Sequence, residues 1–154
     1  MKLATLLLSA ACVLTTAPAQ AQSRYSTSID GSEVNDSQTG LVWRRCAEGM
    51  AWSGGTCTGT TATYTHEQAL ARAKTQSGWR LPNVKELGSI VDRTRSNPAI
   101  DVAAFPATSP NTFWSSSPYA GDAPDVGGAW FVGFGNGSVH YNLRSYSYAV
   151  RLVR

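Results

Sequence analysis

Two stretches of the chain carry apolar residues at the spacing of a short amphipathic helix, and each begins with a capping pattern. Thr65 and Gln68 open the first stretch, and Asn83 and Glu86 open the second. In each pair, the side chain of each residue can accept a hydrogen bond from the backbone N–H of the other. We therefore predict two short helices, each packing one face on a larger core. Their apolar positions are Ala69, Leu70 and Ala73 in "THEQALARAKTQSG" and Val84, Leu87, Ile90 and Val91 in "NVKELGSIVDRTRSNP".

The remaining patterns predict strands and loops. Turn residues at Asp30-Gly31 and Thr39-Gly40 surround short extended pieces in "DGSEVNDSQTGLVWR", and "AWFVGFGNGSVHYNL" alternates around a turn at "GNG", as a hairpin does. The closing "SYAVRLVR" alternates at Tyr148, Val150 and Leu152. Residues 97–128 are rich in Pro, Ser, Asn and Asp and are predicted to form a long irregular region, which in ordered proteins is usually functional or tightly packed.

The junction between the two helices, "GWRLPNVKEL", combines a helix stop with a helix start. Gly78 is a natural end for the first helix, and Pro82 precedes the cap of the second. We expect Trp79 and the nearby leucines to point to the core and Arg80 to make a structural hydrogen bond or ion pair.

The first 21 residues have the pattern of a secretory leader. Lys2 precedes an apolar run over residues 3–14, and a small-residue stretch ends at Ala21 in an A-x-A cleavage pattern. The run is too short to span a bilayer as a helix. We predict a signal peptide over residues 1–21, a single domain over 22–154 and export to the periplasm or outside the cell. Lipid anchoring at Cys12, in "SAAC", is the alternative.

Charge and cysteine usage narrow the class of protein further. The chain has 13 Lys and Arg against 10 Asp and Glu, and cleavage would also remove Lys2, so the basic excess is too small to indicate a nucleic-acid binder. Cys46 and Cys57 would then remain in an oxidising compartment, where such a pair is usually a disulfide. The intervening "WSGG" can fold back tightly. A metal site or a catalytic thiol at this pair is the less favoured interpretation, because no C-x-x-C spacing accompanies it.

The order of the motifs resembles a known family. "DSQTGLVWRRC", "CTGTTATYTHEQALARAK", "GWRLPNVKELGSIVD", "NPAID", "FWSSSP", "AWFVGFGNG" and "YAVRLVR" follow one another as in the Lcl C-terminal-like domain, over roughly residues 30–154. More distantly, "WRLPNVKEL" and the closing "VRLVR" resemble segments of formylglycine-generating enzymes. These resemblances imply an α+β, C-type-lectin-like fold with two short helices, small antiparallel sheets, long loops and neighbouring termini.

The resemblance implies a fold more than an activity. Formylglycine-generating enzymes hold copper through a cysteine pair late in the chain, and this sequence has no cysteine after Cys57. We therefore expect no enzyme activity and no cofactor. The family's namesake is an adhesin that engages sulfated glycosaminoglycans, which implies a binding or adhesion-type domain that contacts a glycan or a cell-surface component. The alternative is an exported enzyme with unrecognised chemistry on the same fold.

Candidate catalytic and metal-binding residues are scattered through the sequence. His66, in the first turn of a predicted helix, is expected to be exposed, and His140 to be half exposed beside Tyr141. No G-x-S-x-G elbow surrounds the serines. Carboxylates in "NPAID" and "GDAPD" (Asp101, Asp122 and Asp125) could pair in a glycosidase or bind calcium, although such loop residues more often form turns. We assign no metal site.

The aromatic residues are the best candidates for ligand contact, because Trp and Tyr stack on sugar rings while keeping a polar group. Trp43, Trp79 and Trp130 are expected to be core residues. Trp114 and Tyr119 in the long loop and Tyr141 in the hairpin are expected at a surface. Arginine binds sulfate and carboxylate through paired hydrogen bonds, and Arg93, Arg95 and Arg144 could do so. The predicted ligand-binding set is Trp114, Tyr119, Tyr141 and Arg144.

Overall fold

A computed structural model describes residues 23–121 and 127–154, in which the chain forms strands and two short helices. The predicted signal peptide and the carboxylates Asp122 and Asp125 lie outside the described residues. Among the described residues, no helix has the length and apolar character needed to cross a membrane. The elements are β1 (Tyr25–Thr27), β2 (Glu33–Asp36), β3 (Val42–Arg44), β4 (Met50–Ser53), β5 (Thr56–Gly59), β6 (Thr63–Tyr64), α1 (His66–Lys74), α2 (Val84–Ser89), β7 (Thr112–Pro118), β8 (Gly128–Gly133), β9 (Ser138–Leu143) and β10 (Tyr148–Ala149).

The strands form three small sheets. β1, β2 and β3 make a three-stranded sheet, β4 and β5 a hairpin, and the largest sheet has the order β6-β10-β7-β8-β9. All pairings are antiparallel except that of β10 with β7, where Ala149 lies beside Phe113 in parallel. The described residues therefore have the predicted α+β character with two short helices. Among the described strands, the antiparallel prediction fails only at the β10–β7 pair.

The cysteine loop folds as its sequence predicts. β4 and β5 pair from Met50–Gly59 to Ser53–Thr56, and the connecting Gly54 and Gly55 both have positive φ, at 60° and 87°. A two-residue turn with positive φ at both positions matches the twist of the strands, and glycine adopts it without steric cost. Cys46 and Cys57 form the predicted disulfide, with 5.4 Å between their Cα atoms.

Both helices begin with the predicted capping boxes. The side chain of Thr65 accepts from the backbone N–H of Gln68, and that of Asn83 accepts from Glu86, with reciprocal bonds in both cases. Glu86 also binds Arg80 through two bonds of 2.7 and 2.8 Å, so the predicted structural role of Arg80 is confirmed. The second helix is shorter than its apolar pattern suggests. It ends at Ser89, and Val91 pairs with Ile100 in an isolated bridge instead.

Two buried clusters cover opposite faces of the five-stranded sheet. Phe113 and Val132 pack with Leu87 of α2, whereas the next residue on β7, Trp114, packs with Ala69 of α1. Consecutive strand residues point to opposite faces, so α2 and α1 cover different sides of the sheet. The closing segment contributes to both clusters: Val150 and Leu152 join the α1 side, and Ala149 and Val153 the α2 side.

The long region predicted to be irregular contains the middle strand of the main sheet. β7 lies between β10 and β8, within residues 97–128. Its sequence, "TFWSSSP", carries three serines and a proline, which are residues typical of loops. In the folded chain, Ser115 donates to the carbonyl of Trp130 at 2.7 Å, and Ser117 accepts from the backbone N–H of Val84 at 3.0 Å. These tertiary partners satisfy hydroxyl groups that would otherwise disfavour a buried strand.

Candidate functional site

Three aromatic side chains pack together on the α2 side of the main sheet, and we call Tyr119, Trp130 and Tyr141 the aromatic group. The rings of Tyr119 and Tyr141 lie parallel, 3° apart in plane and 3.6 Å between centroids. Trp130 meets both rings edge to face, at 5.4 Å from Tyr119 and 5.9 Å from Tyr141. All three side chains are half-buried, so the group combines fixed ring positions with surface that a ligand can reach.

The pairing of β7, β8 and β9 creates the aromatic group. Tyr141 lies directly opposite Trp130 in the β8–β9 ladder, and the backbone N–H of Tyr119 donates to the carbonyl of Gly128 at 3.0 Å. A side chain at Gly128 would bring its Cβ within 3.1 Å of the carbonyl oxygen of Asn142 and 3.4 Å of the Cβ of Tyr119. The absence of a side chain at residue 128 therefore provides the room in which the tyrosines stack.

Arg144 lies beside the aromatic group, in the loop after β9. Its Nε donates to the carbonyl of Gly128 at 3.1 Å, the same carbonyl that Tyr119 contacts. Its own carbonyl accepts from the backbone N–H of His66 at 3.0 Å. The structure thus brings together three of the four residues predicted to bind ligand: Tyr119, Tyr141 and Arg144.

The fourth predicted residue, Trp114, lies elsewhere. It is in β7 rather than in a loop, its exposure is 0%, and its ring faces the α1 side of the sheet. Its indole N–H donates to the carbonyl of Tyr64 at 2.9 Å, and its ring lies 4.5 Å from that of Tyr148. The expectation of a surface position for Trp114 is therefore wrong, because residue parity along β7 directs this ring into the core.

His66 is also buried, contrary to expectation, with 2% exposure. Its Nε2 lies 3.0 Å from the carbonyl oxygen of Ser115, its ring meets Trp114 edge to face, and its Nδ1 has no hydrogen-bond partner among the described residues. Burial lowers the pKa of this imidazole, and the nearby charge of Arg144 acts in the same direction. The recurrence of His66, Ala69 and Ala73 at helical spacing could have shown that His66 lies on the buried face of α1.

A second concave region is a cleft of about 220 Å³ beside the disulfide, lined among others by Glu33, Arg44, Glu48, Trp52 and Trp79. The Glu48 side chain is 3% exposed and lies 3.2 Å from the guanidinium of Arg44 and 2.7 Å from that of Arg72. Glu33 is bound by Arg154 at 2.6 Å. Both carboxylates are therefore engaged by arginines, and this set of charges can hold polar ligand groups.

Trp79 packs against the α1-side cluster, as expected, and also lines this cleft. The guanidinium carbons of Arg44 and Arg154 stand 4.9 and 4.8 Å from the ring centroid of this half-buried tryptophan. Trp130 is likewise half-buried, whereas Trp43 is fully buried as predicted. No motif in the sequence indicates that arginines far apart in the chain converge on Trp79.

The remaining titratable candidates that the structure describes do not converge on one place. In residues 23–121 and 127–154, no group of three or more His, Cys, Asp and Glu side chains is placed to hold a metal ion. Asp101 accepts from the backbone N–H of Ala103 at 2.9 Å, which is the turn-forming role that the sequence favoured. Arg95 pairs with Asp92 at 3.0 Å, and His140 is exposed.

Comparison with known proteins adds one finding. The family model described as the Lcl C-terminal domain matches residues 32–154, which is most of the chain. None of the curated proteins compared with the chain matches it.

Proposed function

Since this chain belongs to the Lcl C-terminal domain family, we propose that it is an exported, non-catalytic binding domain that recognises a glycan through the aromatic group. The observation that carries the proposal is the stacking of Tyr119 on Tyr141, with Trp130 against their edges. Rings held in this way lose little conformational entropy when a sugar packs on them.

The charge beside the aromatic group favours an acidic or sulfated glycan. The guanidinium of Arg144 has five N–H donors, and the bond from its Nε to Gly128 uses one of them. The remaining donors can form paired bonds with a sulfate or carboxylate group. The positive charge of Arg144 beside the aromatic group would then favour anionic sugars over neutral ones.

Export and fold type complete the proposal. The disulfide between Cys46 and Cys57 fits an oxidising compartment, and the leader pattern of residues 1–21 supplies the route. The two short helices and small sheets are compatible with a C-type-lectin-like domain. We place the protein in the periplasm or outside the cell.

Binding to a glycan array and retention on immobilised heparin test the proposed function. We expect binding by the folded protein, weakened roughly two- to tenfold in Y141A through loss of aromatic stacking. Y146A is the matched control, because Tyr146 is exposed and stacks beside Tyr148, which packs on the other side of the sheet.

A second pair of variants separates a specific cation from general charge. R144Q removes one positive charge at the half-buried Arg144, and R93Q removes one at the exposed Arg93. We expect R144Q to leave heparin at lower salt and R93Q to elute with the parent protein. Equal effects of the two variants would show non-specific attraction, and a folded protein that binds neither the array nor heparin would rule out glycan recognition.

A further inference from the structure

A small recess lies beside the aromatic group, where the start of β8 runs along the end of β9. It is lined by Gly128, Tyr141, Asn142 and Leu143 and has a volume of about 50 Å³. One water molecule takes about 30 Å³ in the liquid, so the recess can admit a substituent of a few atoms but not a whole sugar ring. A sugar that packs on the aromatic group therefore has a hollow beside it that suits one of its ring substituents.

The strand register and one glycine create the recess. Tyr141 and Leu143 are two positions apart in β9, so their side chains point to the same face of the sheet. Gly128 lies directly opposite Leu143 in the β8–β9 ladder and has no side chain to occupy the space between them. A Cβ at residue 128 would come within 3.1 Å of the carbonyl oxygen of Asn142, so the recess depends on glycine at this position.

Hydrogen bonds fix the walls of the recess. The backbone N–H of Leu143 donates to Oδ1 of Asn142 at 2.8 Å, and the carbonyl of Leu143 accepts from the N–H of Tyr146 at 3.1 Å. The side-chain amide of Asn142 in turn donates to the hydroxyl of Tyr148 at 2.7 Å. Because these groups already have partners, the protein loses little further conformational freedom when a ligand group enters the recess.

The recess has uncharged walls, and a cation lies at its border. Leu143 is 47% exposed, so a group that packs on it removes apolar surface from water. None of the four lining residues carries a charge. Arg144 lies at the border, because its Nε donates to the carbonyl of Gly128 at 3.1 Å. The surface beside the aromatic group thus combines a small, partly apolar hollow with one positive charge.

We propose that this recess receives the acetyl group of an N-acetylated amino sugar, an inference that rests on the proposed function. The acetyl methyl is small and apolar and packs on Leu143, while the sugar ring packs on the aromatic group. A carboxylate or sulfate elsewhere in the glycan pairs with Arg144. The ligand class that uses all three features is an acidic glycan that contains N-acetylated amino sugars.

Two other substituents at the same ring position fit the recess less well. A hydroxyl group is too short to cover Leu143. An N-sulfate brings a charge against an apolar side chain and near the carbonyl oxygen of Asn142, which is unfavourable because the charge loses hydration. One small apolar group gives about tenfold discrimination or more in an enclosed pocket, and we expect about fivefold in this open recess. The preferred order is therefore opposite to the order that charge alone would give.

Isothermal titration calorimetry with two matched oligosaccharides tests the inference. The first is a heparosan hexasaccharide, which alternates glucuronic acid with N-acetylglucosamine, and the second is the same hexasaccharide with each acetyl group replaced by sulfate. We expect the purified protein to bind the N-acetylated form about fivefold more tightly, although this form carries fewer negative charges. L143A removes one wall of the recess and should reduce the preference to less than about twofold.

V139A is the matched control for L143A. Val139 lies on the same face of β9 and is 40% exposed, but it is opposite Val132, away from the recess, so V139A should keep the preference. Equal or tighter binding of the N-sulfated form by the parent protein would overturn the inference and leave the proposed function standing, as would a preference that L143A keeps. Binding of neither form would refute the proposed function and this inference with it.

Discussion

Arg151 offers a direct test of how the core is held together, because it is a fully buried guanidinium with no carboxylate bound to it among the described residues. Its exposure is 0%, and burial lowers its pKa to about 9, which leaves it protonated at neutral pH. It donates to the carbonyls of Arg44 and Arg45 and, at 2.7 Å, to the hydroxyl of Thr108. Its guanidinium carbon lies 4.9 Å from the ring centroid of Phe105.

Substitution R151M should lower the free energy of unfolding by about 3–5 kcal/mol. Methionine keeps an apolar stem of similar length beside the phenylalanine rings but leaves two buried acceptors and one part-buried acceptor without this donor. Each buried acceptor left without a donor costs about 1–3 kcal/mol. Part of this loss is offset because the substitution also removes the desolvation penalty of a buried charge. A loss of this size is a large fraction of the stability of a single domain.

Urea denaturation followed by tryptophan fluorescence measures the change, and R154M is the matched control. Arg154 carries the same side chain three residues later, but it is 47% exposed and forms a surface ion pair with Glu33. Its replacement should cost about 0–1 kcal/mol. If R151M costs no more than R154M, the buried hydrogen bonds do not hold the closing segment, and the reasoning is wrong.

Two further predictions concern acid and reduction. Burial lowers the pKa of His66 from its ordinary value of 6.5, so the unfolded chain binds a proton at this residue more readily than the folded chain does. The free energy of unfolding therefore decreases as the pH drops below about 6.5. Thermal melts between about pH 7 and pH 5 should show a smaller decrease in melting temperature for H66Q than for the parent protein. An equal decrease in the two proteins would exclude His66 as a cause of the acid sensitivity. Removing the disulfide in C46A/C57A should cost about 3 kcal/mol, since it closes a short loop. A loss under about 1 kcal/mol in urea denaturation would contradict the loop-closure estimate.

Local chemistry made several features predictable. The capping boxes at Thr65 and Asn83 and the Gly54-Gly55 turn depend on hydrogen bonds and φ preferences within a few residues. The pairing of Cys46 with Cys57 also follows from a short loop that contains the Gly54-Gly55 turn. The family followed from the order of several multi-residue motifs.

The candidate site was predictable only in part. Tyr119, Tyr141 and Arg144 were singled out because rings and cations in the late loop and hairpin suit a glycan, and the structure places them together. The sequence predicts Trp130 as a core residue, yet Trp130 completes the aromatic group. The sequence predicts Trp114 at the surface, yet β7 is a central strand whose serines find tertiary partners.

The sequence by itself determined the helix starts, the tight turns, the disulfide and the family, because these depend on interactions between residues close in the chain or on the order of motifs. Only the tertiary structure decided which of two identical side chains is buried. Arg151 and Arg154 occupy equivalent-looking positions in "VRLVR", but one donates to carbonyls in the core and the other to a surface carboxylate. The physical reason is that burial depends on which strands pair and which face each residue presents, and both depend on contacts between residues distant in the sequence.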